Sequence, residues 1–114
     1  QEALGAKHQA TDVTSPDDLY NPWWDMLYNK GIGTLYYRGK WNLFDQIIFS
    51  AGLLDKSQPT RLHLLTNAVF SRDYLLQAEG KYKGAPKRTT AGGTWINGYS
   101  DHLPTQIFLV KNAK

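Results

Sequence analysis

The chain has 114 residues, of which 41% are hydrophobic and 20% are charged, and its formal net charge is +3, so it is predicted to fold rather than to be disordered. It contains no cysteine, which excludes disulfide frameworks and thiolate metal sites and suits a cytoplasmic or an extracytoplasmic protein equally well. No apolar run is long enough to span a bilayer, and the length fits one small domain or part of a larger one.

The first signal for regular structure follows a polar stretch over residues 1–14. Ser15 and Pro16 precede two aspartates, and this order predicts the start of a helix. Serine is a good N-cap, proline fits the first helical turn, and acidic side chains favour the positive end of the helix dipole. Asn21 and Pro22 repeat the signal a few residues later.

A short helix is predicted over residues 22–29. Trp23, Met26 and Leu27 have the i, i+3, i+4 spacing of side chains that share one helix face. Gly31 stands where a C-terminal glycine cap is expected. Core packing is therefore the expected role of Trp23.

Two β-rich segments follow, over residues 34–38 and 43–50, with a turn at Gly39 and Lys40 between them. Residues 47–49 are apolar in succession, which predicts a central strand that is buried on both faces.

The second half of the chain contains two further predicted strands. After a break at Pro59, residues 61–70 form the first, although their alternation of apolar and polar side chains is imperfect. One helical turn is predicted over residues 73–77, and a β-branched and aromatic run over residues 105–111 forms the last strand.

A long loop over residues 80–93 carries a cluster of basic side chains, Lys81, Lys83, Lys87 and Arg88. Such a cluster attracts phosphate groups, and a solvated surface loop is the alternative interpretation. Loops of this length in small domains are usually functional or disordered. The loop is therefore a candidate for contacts with an anionic substrate.

A polar loop carries Asp101 and His102 directly before the last strand, and Asp45 lies in a similar setting upstream. An imidazole can take or give a proton near neutral pH, and a carboxylate on its other ring nitrogen fixes its tautomer. Asp45 is therefore predicted to partner His102, provided that its strand runs beside the last strand. A histidine without a chemical role is the alternative, and His8 and His63 are interpreted in that way, as residues of the surface or the core.

Asp101 is a poor partner for His102, because successive side chains in extended backbone point to opposite sides. It is interpreted as an outer ligand for a hard cation or as a hydrogen-bond acceptor in the same pocket, and a bond to nearby backbone amides is the alternative. Trp41 follows the glycine turn and precedes Asp45, so it is predicted to lie at the rim of the same site.

Residues 43–54 and 98–105 resemble the last two motifs of the endonuclease/exonuclease/phosphatase superfamily, and residues 20–22 and 38–49 resemble its bacterial members. The resemblance implies an α+β fold with one mostly antiparallel sheet and short helices, which is half of a four-layer α-β-β-α sandwich. It also implies hydrolysis of phosphodiesters or phosphomonoesters, nucleic acid among them, with Mg²⁺ or Mn²⁺.

The same resemblance implies roles for individual residues. His102 is the catalytic histidine, Asp45 orients it and stabilises its charge, and Asp101 helps to hold the metal ion or the attacking water. The expected substrate contacts are Trp41, Lys87 and Arg88.

Three features of the superfamily have no counterpart in this sequence: an early asparagine, a metal-binding glutamate and a Gly-Asp-Phe-Asn-type loop. Residues 1–114 are therefore expected to be the C-terminal portion of the domain, without its N-terminal half and with little activity alone. Half a sandwich exposes the apolar inner face of its sheet, so self-association or binding of the missing half is expected. The alternative function is a non-catalytic module that binds carbohydrate or nucleic acid through aromatic and basic side chains.

Overall fold

A computed structural model of the protein describes residues 4–57 and 60–112, so the predicted break at Pro59 lies outside the described residues. Within these ranges no helix is long and apolar enough to cross a membrane. Single 3₁₀ turns lie at Ala10–Asp12, Ala51–Leu54 and Asp73–Leu75. The helix and strands are, in chain order, β1 (Leu19–Tyr20), α1 (Trp23–Tyr28), β2 (Leu35–Tyr37), β3 (Lys40–Asn42), β4 (Phe49–Ser50), β5 (His63–Val69), β6 (Thr90–Ala91), β7 (Thr94–Trp95) and β8 (Thr105–Val110).

Helix α1 begins and ends close to its predicted limits. Asn21 Oδ1 accepts the backbone N–H of Trp23 at 3.0 Å, which satisfies one of the free donors at the start of the helix. At the other end, Gly31 has a φ of +66° and donates its N–H to the carbonyl of Leu27 at 3.1 Å. A glycine in the left-handed region is the usual way to end a helix, so this cap follows directly from the sequence.

The helix start predicted at Ser15 is wrong, because residues 15–17 form a turn that leads into β1. The carboxylate of Asp18 accepts the backbone N–H groups of Thr14 and Ser15, each at 3.0 Å. These two bonds hold the pKa of Asp18 below its usual value. Aspartate thus offers the backbone an alternative to helical hydrogen bonds, and the alternative prevails here.

The predicted α+β class is confirmed, with antiparallel strands in small sheets and few helices. In the described residues the strands form four two-stranded pairs, β1–β4, β2–β3, β5–β8 and β6–β7, rather than one sheet. The strand predicted over residues 43–50 is wrong over most of its length, since only Phe49 and Ser50 are in β4. Residues 43–47 instead bond to the start of α1 and to Thr34, and residues 47 and 48 are only half-buried.

The longest pair, β5–β8, packs one face on the core. Trp23, Met26 and Leu43 form the buried cluster, and Val69 and Ile107 pack against it from the two strands. A register shift between Leu64 and Thr66 leaves an extra residue in β5. Large apolar side chains of this pair are also exposed, Leu65 by 60% and Phe108 by 54%.

The molecule is flat. Its principal extents are 52 × 34 × 20 Å and its radius of gyration is 17.1 Å, whereas a compact domain of this length has a radius of about 13 Å. A slab of this thickness has room for a small core on one side of its longest strand pair. The exposed apolar side chains of that pair therefore face outward instead of meeting a second layer.

Candidate active site

Thr34, which is fully buried at the start of the β2–β3 hairpin, supports both segments of the candidate site. Its carbonyl oxygen accepts the backbone N–H of Leu103 at 2.8 Å. Its hydroxyl Oγ1 accepts the backbone N–H of Phe44 at 3.2 Å. Leu103 follows His102 and Phe44 precedes Asp45, so one residue holds the backbone next to both predicted site residues.

Buried polar groups at the start of α1 fix the segment that carries Asp45. Asn21 Nδ2 donates to Gln46 Oε1 at 2.9 Å, and Gln46 Nε2 donates to a carbonyl of its own segment at 2.7 Å. Trp23 Nε1 donates to the carbonyl of Ile47 at 2.7 Å. These bonds satisfy amide and indole groups that would be costly to bury unpaired, and they replace the strand ladder that the sequence predicted.

The loop that carries His102 is held from both sides. The backbone N–H of His102 donates to Ser100 Oγ at 3.0 Å, and a backbone bridge joins His102 to Leu35 in β2. Leu103 is 4% exposed, so the apolar residue after the histidine anchors the loop in the core. The imidazole is therefore attached to the same hairpin as the Asp45 segment.

The structure brings Asp45 and His102 together across 57 positions of sequence, with His102 Nδ1 2.7 Å from Asp45 Oδ2. Since a carboxylate only accepts hydrogen bonds, Nδ1 carries the proton and Nε2 is left with its lone pair in the neutral ring. The side chains are 37% and 38% exposed, so the pair lies at the surface rather than in the core. Such a pair can receive a proton at Nε2, with the carboxylate stabilising the imidazolium that forms.

Asp101 is exposed beside this pair, and no group of three His, Asp or Glu side chains capable of holding a metal ion occurs in residues 4–57 and 60–112. Mg²⁺ needs near-octahedral coordination by several oxygens. The side chains of the described part of the chain therefore do not by themselves form a site for Mg²⁺ or Mn²⁺.

The other predicted residues lie along the hairpin and the basic loop. Trp41 packs edge-to-face on Tyr36, with ring centroids 5.4 Å apart. Arg88 lines a cavity together with Tyr36, whereas Lys87 is not among the residues that line it. Of the basic pair, Arg88 is thus the residue that faces a concave surface.

The supporting residues Thr34, Asn21 and Gln46 were not predicted from the sequence. Asn21 carried a signal, since Asn-Pro before a helix marks a cap, but its second bond to Gln46 links positions 25 apart. No sequence signal indicated that Thr34 is buried, because a threonine in a β-rich segment can lie on a solvent-exposed face as well as on a buried one.

Replacing Thr34 with valine is expected to lower the free energy of unfolding by about 1–3 kcal/mol, because the shape is kept while the N–H of Phe44 loses its acceptor. Urea unfolding followed by tryptophan fluorescence measures this change. Thr34→Ser, which keeps the hydroxyl, and Thr66→Val, at an exposed position of β5, are the matched controls. Equal effects of Thr34→Val and Thr66→Val would show that the hydroxyl does not hold the Asp45 segment.

Comparison with known proteins gives one family. The family model described as "Endonuclease/Exonuclease/phosphatase family" matches residues 1–111 of the chain. No curated protein and no solved structure matches the chain.

Proposed function

Because the chain belongs to the endonuclease/exonuclease/phosphatase family, we propose that it supplies the catalytic histidine and aspartate of a metal-dependent phosphate-ester hydrolase. The observation that carries this proposal is the 2.7 Å contact between His102 Nδ1 and Asp45 Oδ2. The family comprises phosphoesterase-type hydrolases, and an oriented imidazole is a group that such a reaction uses.

The proposed roles follow from the proton balance of hydrolysis. Water adds to phosphorus, the bond from phosphorus to the leaving oxygen breaks, and one proton moves from the water to the leaving group. His102 serves this transfer at Nε2 or, once Nε2 is protonated, donates a hydrogen bond from it to a phosphate oxygen. Asp45 keeps the ring in the tautomer that leaves Nε2 available and offsets the positive charge of the protonated ring.

Divalent cations are general in this family, and a cation would neutralise the phosphate and activate water. We propose Asp101 as one of its ligands. Since the described residues do not complete such a site, the remaining ligands come from groups outside them. The 114-residue chain by itself is then expected to hydrolyse phosphate esters slowly or not at all.

The flat shape supports the same proposal. A slab 20 Å thick with exposed apolar side chains on β5 and β8 is suited to a second layer, either another copy of this chain or the half of the fold that carries the family's remaining motifs. We propose that this second layer completes both the core and the site.

An assay on generic substrates tests the function. Bis(p-nitrophenyl) phosphate and p-nitrophenyl phosphate are incubated with Mg²⁺ or Mn²⁺ and the chain, either alone or joined to an N-terminal half that carries the family's other motifs. We expect turnover only in the joined protein and its loss in His102→Ala. No turnover in the joined protein, or turnover that is unaffected by His102→Ala, would refute the proposed function.

One observation favours the alternative of a non-catalytic binding module. A cavity beside the hairpin is lined by tyrosine and arginine side chains, which bind ligands without any acid–histidine pair. Binding of a ligand without turnover in the joined protein would support this second function.

A further inference from the structure

A cavity of about 330 Å³ lies between the β2–β3 hairpin and the basic loop. The hairpin contributes Tyr36, Tyr37 and Arg38 to its lining, and the loop contributes Tyr82 and Arg88. Its volume is within the range of small-ligand sites, and its lining combines three tyrosine rings with two guanidinium groups. None of these five residues belongs to the Asp45–His102 pair.

The charge at this cavity is not compensated by acidic side chains. In the described part of the chain no carboxylate lies within 4.0 Å of the guanidinium groups of Arg38 and Arg88. The ammonium group of Lys81 lies 5.5 Å from the ring centre of Tyr82, which adds a third positive charge next to a residue of the lining. A concave surface with this charge attracts anions.

Arg38 is an unexpected residue for the turn in which it stands. The two-residue connection between β2 and β3 has positive φ angles, +49° at Arg38 and +79° at Gly39. Hairpin turns of this kind favour asparagine or aspartate followed by glycine, and a long side chain in the left-handed region costs about 1 kcal/mol. The arginine is thus not explained by the turn, and its guanidinium lies over the ring of Tyr37, 5.1 Å from the centroid, at the cavity.

The cavity and the Asp45–His102 pair share their supports. Leu35, which is bridged to His102, lies three residues before Arg38, which is roughly 10 Å along a strand. On the loop side, the backbone N–H of Gly98 donates to the carbonyl of Arg88 at 3.1 Å, and His102 follows four residues later. The cavity and the pair are therefore linked through β2 and through the segment from Gly98 to His102.

We propose that this cavity holds one unstacked nucleotide of a single-stranded nucleic acid whose scissile phosphodiester lies at His102. The base stacks on Tyr82, and Arg38 and Arg88 bind the adjoining phosphate. A nucleotide presents both an aromatic face and an anion, whereas a neutral sugar lacks the anion and a lipid head group lacks the aromatic face. A base enters a cavity of this size only when it is out of the duplex. This inference specifies the substrate of the proposed function.

Fluorescence anisotropy of a labelled ten-residue single-stranded oligothymidine, in EDTA to prevent cleavage, tests the cavity with the 114-residue chain. We expect Tyr82→Ala to weaken binding about tenfold while Tyr82→Phe keeps it. Arg38→Gln combined with Arg88→Gln is expected to reduce the slope of log K against log salt by about 1.4. A duplex of the same sequence is expected to bind more weakly than the single strand.

One control variant separates binding at the cavity from a general effect of charge. Lys83→Gln removes a charge from the same loop at a position that does not line the cavity. It is expected to bind the oligonucleotide within about threefold of the unmodified chain. Equal losses in Lys83→Gln and in the variant that combines Arg38→Gln with Arg88→Gln would refute binding at the cavity, whatever the hydrolysis assay shows. If binding depends on the cavity residues but the joined protein shows no turnover, nucleotide binding at the cavity is supported and only the hydrolytic function is refuted.

Discussion

Replacing Asp45 with asparagine is expected to lower the rate of phosphate-ester hydrolysis by about a thousandfold or more in the joined protein. The amide has nearly the same shape as the carboxylate, but it is neutral and can turn its NH₂ group toward His102. It then no longer stabilises the imidazolium, and it allows the tautomer in which Nε2 carries the proton. The loss is therefore electrostatic and tautomeric rather than one of folding.

Two measurements distinguish this effect from a structural one. Nitrogen-15 NMR of the His102 ring reports the tautomer directly, and urea unfolding reports stability. The matched control is Asp12→Asn, at an exposed position in a 3₁₀ turn, which is expected to change neither the tautomer nor the rate. An Asp45→Asn variant that keeps hydrolysis within tenfold of the starting protein would remove the aspartate from the mechanism.

The Asp45–His102 contact was predicted from the sequence, but by a route that the structure does not follow. The prediction required a long strand over residues 43–50 running beside the last strand. In the structure that segment is irregular, and the two residues meet because Thr34 bonds to the neighbours of both. The resemblance identified the pair of residues, while local β-propensity suggested the wrong support for them.

Sequence patterns correctly predicted the helix and strands that are determined by residues within or next to them. The helix after Asn21 and its end at Gly31 follow from caps and spacing, and β5 and β8 follow from β-branched and apolar runs. Residues 43–48 have the composition of a strand, yet β-propensity depends on the neighbours that a strand meets. The buried side chains of Asn21 and Trp23 instead hydrogen-bond to this segment. These partners lie more than twenty positions away in sequence, so a local sequence pattern cannot predict them.

The same limit applies to the close approach of two loops at Gly98. A Cβ atom at this position would overlap the carbonyl oxygens of both Lys87 and Arg88, so the two backbones pack without room for any side chain. The hydroxyl of Thr89 donates to the carbonyl of Gly98 at 3.1 Å, which closes the contact from the other side. The glycine is needed for space, since its φ is outside the left-handed region.

Replacing Gly98 with alanine is therefore expected to cost about 3 kcal/mol of unfolding free energy, because rigid backbone rather than a flexible side chain must move. The displacement separates Arg88 from the cavity and shifts the loop that leads to His102, so oligonucleotide binding and hydrolysis are both expected to fall.

Gly52→Ala is the matched control, since its Cβ would meet its nearest neighbour, Ser50 Oγ, at 4.0 Å. This variant is expected to change the free energy of unfolding by less than about 0.5 kcal/mol. Urea unfolding of the two variants side by side measures the difference, and a Gly98→Ala variant as stable as Gly52→Ala would mean that the loops do not pack in this way. The cavity and the Asp45–His102 pair are therefore physically connected, because a single methyl group between the two loops disturbs the backbone that supports both.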